Sequence, residues 1–235
     1  MGVSNVNILS TRPIGKTLID EAASHGIIID EISFIETVEK IDSGTTKKIK
    51  ELSNKNITAV FTSMNAVTAI GEHVAANVPW KIFCIGNTTK DLLVHIFGEK
   101  NIEETADNAL ELAEKIVAAN IVSKVYFFCG DLRRDELPEK LKANGIEVEE
   151  IMVYNTVFTS QRISKNYDGI LFFSPSAVES FFIKNDAGSN TRFFAIGKTT
   201  AESVKAFTDQ PVITAASPGK KKLVEEAIRY FCRRI

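Results

Sequence analysis

The residues of this chain best suited to chemistry sit at corners, where an apolar run stops at a small polar residue or glycine and a helical pattern begins. Phe61-Thr62-Ser63-Met64-Asn65-Ala66-Val67 is one corner, and Phe172-Phe173-Ser174-Pro175-Ser176-Ala177-Val178 repeats it 111 positions later. Phe83-Cys84-Ile85-Gly86-Asn87-Thr88-Thr89 and Phe194-Ala195-Ile196-Gly197-Lys198-Thr199-Thr200 form a second pair at the same offset of 111. A strand that enters a helix this way aims backbone N–H groups and the positive end of the helix dipole at one place, where an anion binds. Ser10-Thr11-Arg12 and Gly130-Asp131 end two further apolar runs. The expected binding residues are Thr11, Arg12, Thr62, Ser63, Gly86, Thr88, Gly130, Ser174, Ser176, Gly197, Lys198, Thr199 and Thr200. Any α/β protein needs small residues and caps at such places. Matched sets of corners at one offset favour a binding surface instead. It is rich in donors and poor in titrating groups, which suits a large polyanion. Tyr154 is the one potential acid in an extended segment beside them.

Parallel strands must hold these corners in a row. Apolar runs at Val6–Ser10, Ile27–Ile32, Ile57–Thr62, Lys81–Ile85 and Val125–Gly130 read as strands, with 168–173, 191–196 and 211–214 completing the second half. Helical patterns lie between them. One is expected to open at Thr11-Arg12-Pro13 and run to about His25; others span Asn65–Ala76 and Leu132–Asn144, and a last one starts near Pro218. Ser43-Gly44-Thr45-Thr46 and Asp107 are the expected caps of two more. Strands alternating with helices of this length predict parallel sheets covered on both faces. Gly26 to Ile32 matches Gly145 to Ile151, and Thr37 matches Thr156, at an offset of 119 rather than 111. Each repeat therefore carries five strands, and the offset changes within extended polar stretches at 38–57 and 157–168. That change suggests crossings at Phe34–Val38 and Val153–Val157, although two tandem domains would give the same offsets.

Composition narrows the function. At 235 residues, 44% hydrophobic and 25% charged, the chain can hold one large or two small globular domains. A net charge of −2 offers no field for nucleic acid. Arg133-Arg134, Lys220-Lys221-Lys222 and Arg233-Arg234 read as solvated helix faces. No apolar run reaches the roughly 20 residues needed to span a bilayer. Residues 1–5 lack the pattern of a signal peptide, and Val6 stands where a myristoylation signal needs Ser or Thr. With three cysteines in no paired spacing, a reducing, cytoplasmic setting is expected. Phosphate-loop, dinucleotide-binding and nucleophile-elbow motifs are missing. His25, His73 and His95 fall within helical stretches away from the corners, and no metal is expected.

In order and spacing, several segments resemble the uroporphyrinogen-III synthase family almost end to end. They are Phe-Thr-Ser (61–63), Ile-Gly-Asn-Thr-Thr (85–89), Cys-Gly-Asp-Leu-Arg-Arg-Asp-Glu-Leu (129–137), Val-Tyr-Asn-Thr (153–156), Phe-Phe-Ser-Pro-Ser-Ala-Val (172–178), Ala-Ile-Gly-Lys-Thr-Thr-Ala (195–201) and Ala-Ser-Pro (216–218). The resemblance implies two flavodoxin-like α/β domains joined by a two-stranded ladder. The first would be discontinuous, residues 1–37 with 158–235, and the second an insertion of 38–157. It also implies cofactor-free cyclisation of hydroxymethylbilane, a linear tetrapyrrole with eight carboxylates, to uroporphyrinogen III with inversion of ring D. Tyr154 stands at the position of the family's candidate acid. Met64-Asn65 departs from the Pro-Arg that the family often shows there. The small-molecule substrate is the one partner expected of an enzyme acting as a monomer, without nucleic acid or membrane. Two other classes share the architecture: a two-lobed protein that only binds an anionic small molecule, and a regulatory relative without catalysis.

Overall fold

The computed structural model describes residues 6–75, 77–86, 88–120, 123–217 and 219–232. The stretch at residues 1–5, Asn87, the helix start at Pro218 and the pair Arg233-Arg234 lie outside the described residues. Contacts divide the chain into two compact units, Met1–Glu36 with Val157–Ile235, and Thr37–Thr156.

The first unit contains β1 (Val6–Ser10), α1 (Lys16–Ser24), β2 (Ile27–Glu31), β9 (Gly169–Phe172), α7 (Pro175–Phe182), β10 (Arg192–Ala195), α8 (Lys198–Lys205), β11 (Val212–Thr214) and α9 (Lys220–Cys232). Its strands pair in parallel in the order β11-β10-β9-β1-β2. Ile8 and Leu171 thus share a sheet although 163 residues separate them. Side chains alternate across this sheet. Ile8, Leu171 and Phe194 pack with Ala22 of α1 and Leu223 and Ala227 of α9, while Leu9, Phe172 and Phe193 pack with Phe181 of α7 and Val204 of α8. A sheet buried on both faces needs such near-continuous apolar strands, and β9 is buried at every position. Each fully buried Phe contributes about 1.5–3 kcal/mol through the surface it removes from water.

The second unit contains α2 (Ser43–Ser53), β4 (Ile57–Phe61), α3 (Met64–Gly71), β5 (Trp80–Ile85), α4 (Thr88–Phe97), a 3₁₀ turn (Glu99–Asn101), β6 (Ile102–Ala106), α5 (Ala109–Ala119), β7 (Lys124–Gly130) and α6 (Glu136–Ala143). Two strands, β3 (Ile35–Glu39) and β8 (Glu147–Phe158), carry the chain across the unit boundary. The sheet runs β3-β8-β7-β4-β5-β6. With β7, β8, β4, β5 and β6 counted as strands one to five, its order beyond β3 is 2-1-3-4-5. The first sheet has the same order with β1, β2, β9, β10 and β11. This is the flavodoxin arrangement, entered in the second unit at its third strand. The permuted entry explains the two offsets: 119 relates β1-α1-β2 to β7-α6-β8, and 111 relates β9 and β10 to β4 and β5.

Several helix starts differ from the sequence expectation. Helix α1 begins only at Lys16, after Gly15 at φ +99°. The preceding N–H groups are engaged elsewhere, Thr11 on the Leu171 carbonyl and Ile14 on Glu31. Helix α6 begins at Glu136 rather than Leu132, because the Leu132 N–H turns back to the Asp131 carboxylate. Helix α3 ends at Gly71, short of Ala76. Asp42 caps α2 and Asn108 caps α5, each one residue from the expected cap.

Candidate active site

Ligands of doubly wound sheets bind beyond the carboxyl ends of the strands, where the strand order reverses. In the second unit this switch point lies between β7 and β4, and a pocket of about 340 Å³ opens there. Thr62 and Ser63 line it from the end of β4, Gly130 from the end of β7, and Tyr154 from β8. The order in which strands wind therefore brings together four of the expected site residues.

Local chemistry sets each of them. Ser63 leaves the strand in an extended conformation and caps α3, accepting from the Asn65 N–H at 3.1 Å. Tyr154 reaches the pocket through a bulge: Cys129 pairs with Met152 but Gly130 pairs with Tyr154, so β8 holds one extra residue, Val153. Bulges re-aim side chains in this way. The Tyr154 ring then lies directly on Gly130. A Cβ there would sit 2.4 Å from the ring carbons Cε2 and Cζ and 2.9 Å from the hydroxyl. Gly130 is the floor under the phenol, so its missing side chain matters more than its backbone. Asp131 ties the corner together. Its carboxylate accepts from the N–H groups of Leu132 (3.0 Å) and Thr156 (2.8 Å), while its own N–H donates to the Tyr154 carbonyl at 3.2 Å.

Burial pushes the Tyr154 phenol above its ordinary value, and hydrogen bonds from Ser63 and Asn65 draw it partly back. The group stays protonated at neutral pH, beside two polar side chains that stabilise its oxyanion when it gives up the proton. A protonated phenol so placed can donate a hydrogen bond or a proton to a molecule in the pocket. Nucleophilic thiol chemistry has no such support. Burial pushes Cys84 up to about 11 and Cys129 up to about 12, so both remain thiols.

Arg133 and Arg134 line the same pocket, against the expectation of a solvated helix face. Arg133 lies in the β7–α6 loop and pairs with Glu150 and Asp135, and Arg134 reaches Glu136 at 3.5 Å. No spacing in the sequence announced this, since the partner Glu150 lies on the neighbouring strand. Asn65, which stands in place of the family's frequent arginine, is one of the two side chains at the phenol.

The remaining expected residues are distributed as follows. The Gly86 N–H donates to the Ala106 carbonyl at 2.8 Å, and Thr88 opens α4, exposed. In the first unit Ser174 caps α7, accepting from the Ala177 N–H at 3.2 Å, and its hydroxyl meets that of Ser176 at 3.1 Å. Gly197 caps α8 without a side chain, Lys198 and Thr199 form its first turn, and Thr200 is buried. Thr11 is 1% exposed, with both its N–H and its hydroxyl on the Leu171 carbonyl, so it fastens β1 to β9. The Arg12 guanidinium carbon lies over the Phe173 ring, 5.9 Å from its centre.

Known proteins bear on this geometry. The family model described as uroporphyrinogen-III synthase HemD matches residues 16–225. The uroporphyrinogen-III synthase of Saccharomyces cerevisiae is 24% identical over 216 residues, 80% of this chain and 75% of the yeast protein. Among solved structures, the uroporphyrinogen-III synthetase of Helicobacter pylori is similar at a TM-score of 0.68 and 16% identity, covering 96% of this chain and 99% of that one. A mutant uroporphyrinogen III synthase of Thermus thermophilus is similar at 0.65 and 11%, covering 98% and 100%.

Proposed function

The chain belongs to the uroporphyrinogen-III synthase family of haem biosynthesis, and from that premise we propose that Tyr154 is the acid with which it closes hydroxymethylbilane. Protonation of the substrate's terminal hydroxyl by the phenol releases water and leaves an azafulvene cation. The already substituted carbon of ring D attacks that cation, the spiro intermediate fragments and recloses with the ring inverted, and the newly bonded ring D carbon sheds its hydrogen as a proton, which restores the phenol. The net change is loss of one water, so the reaction consumes no oxidant or reductant. A positioned acid contributes about 10²–10⁴-fold. Holding the reacting ends together contributes roughly 7–11 kcal/mol more. The observation that carries the reading is the Tyr154 ring seated on Gly130, its hydroxyl beside Ser63 and Asn65 at the switch point of the second unit.

The domain boundaries that go with this reading are 1–37 with 158–235, and 38–157, supported by the course of β3 and β8. Among the described residues, no helix is long and apolar enough to cross a membrane. We further propose that the enzyme acts as a monomer in the cytoplasm; the free thiols of buried Cys84 and Cys129 fit a reducing compartment.

The deciding experiment supplies purified protein with preformed hydroxymethylbilane and separates the oxidised products. A dominant type III isomer is expected. Type I product at the uncatalysed rate would turn the reading towards a binding or regulatory protein.

A further inference from the structure

The first unit has its own switch point, between β1 and β9, and the groups there are of a different kind. Arg12 follows β1 and lies over Phe173, which is 8% exposed. Lys220 opens α9, and its ammonium reaches over to donate to the Pro13 carbonyl at 3.0 Å. Among the described residues neither cation forms an ion pair. Burial lowers the Arg12 guanidinium, and Lys220 is lowered by burial first and by the charge of Arg12 next. Glu31 acts the other way on Lys220, but its carboxylate accepts from the Ile14 N–H at 2.6 Å. Lys221 and Lys222, next in the same run, are exposed and pair with Glu225.

Two half-buried cations that repel each other are costly unless an anion joins them. A guanidinium placed over an aromatic ring is drawn to it by cation–π attraction, and its planar fork of donors can serve one carboxylate in two places. We propose that Arg12 and Lys220 form a carboxylate dock that grips an acidic side chain of the tetrapyrrole. The dock rests on the function proposed above and lies wholly within the first unit. It makes Lys220 a binding residue, where the Lys220-Lys221-Lys222 run reads in sequence as a solvated face.

The test uses the full chain and uroporphyrin III as a stable probe carrying all eight carboxylates, titrated by fluorescence. Arg12→Gln and Lys220→Gln should each weaken binding about 10–100-fold, the range for one hydrogen-bonded charge pair. Lys221→Gln removes the same net charge from the same helix and should leave affinity unchanged. Arg12→Lys keeps the charge without the fork and should fall between. If Arg12→Gln lowers the melting temperature, Lys220→Gln against Lys221→Gln still decides. Wild-type affinity in Lys220→Gln, or an equal loss in Lys221→Gln, overturns the dock. Porphyrin binding requires no turnover, so failure to form the type III isomer would defeat the proposed reaction and leave this comparison standing.

Discussion

Replacing Gly130 by Ala adds one methyl group, and the structure says where it must go. The new Cβ falls 2.4 Å from two carbons of the Tyr154 ring. Carbon atoms attract best at about 3.5–4.0 Å, so the ring has to withdraw by roughly 1 Å. Bonds to Asp131 hold the backbone on both sides of the contact, so the side chain has to yield. Misplacing a reacting group by about 1 Å can lower a rate 10²-fold, or roughly 2.7 kcal/mol of barrier. We therefore expect kcat for hydroxymethylbilane to fall about 10²-fold in Gly130→Ala with KM little changed. Overpacking costs about 1–3 kcal/mol of stability, seen as a melting temperature lower by roughly 2–4 °C per kcal/mol. Tyr154→Phe removes the proton without the clash and should lose about 10–10³-fold, since water can replace the donor. The two changes act through one hydroxyl, so the double variant should be no slower than the slower single variant by more than a few-fold. The assay is initial rate and isomer ratio from porphyrins separated after oxidation. Wild-type turnover in Gly130→Ala, or multiplying losses in the double variant, would refute the idea that Gly130 acts by seating Tyr154.

Other expectations follow from single groups. Because the Tyr154 phenol is raised in the folded protein, its contribution to stability is complete below the ordinary phenol range near 10 and declines as pH rises through the higher folded value; melting curves from pH 8 to 11 should therefore fall less steeply in Tyr154→Phe. Asp131→Ala leaves the N–H groups of Leu132 and Thr156 without their shared acceptor, and kcat should drop with a loss of about 1–3 kcal/mol in stability by denaturant unfolding. Of the three cysteines, the exposed Cys232 should react with a thiol reagent in seconds to minutes, while buried Cys84 and Cys129 should react only on unfolding; rapid labelling of all three would contradict the packing of β5 and β7.

What could be read from the chain alone was whatever local chemistry decides. Ser63 and Ser174 were legible because a hydroxyl that caps a helix bonds to an N–H two or three residues on. The paired offsets were legible because both sheets need buried strands and small corner residues in one order. Tyr154 could be located, but not its reason for being there: the bulge at Val153 and the bare backbone of Gly130 appear only when β7 and β8 pair. Thr11 resembled the other corner hydroxyls until folding turned it onto Leu171, 160 residues away. Lys220 and Lys221 are the same residue type in one run. Only the packing of α9 beside α1 sends the first to Pro13 and Arg12 and leaves the second in water with Glu225. Capping and strand burial are fixed by neighbours a few residues apart, so sequence determines them; the surroundings of a charge are set by segments far along the chain, and only the tertiary structure decides those.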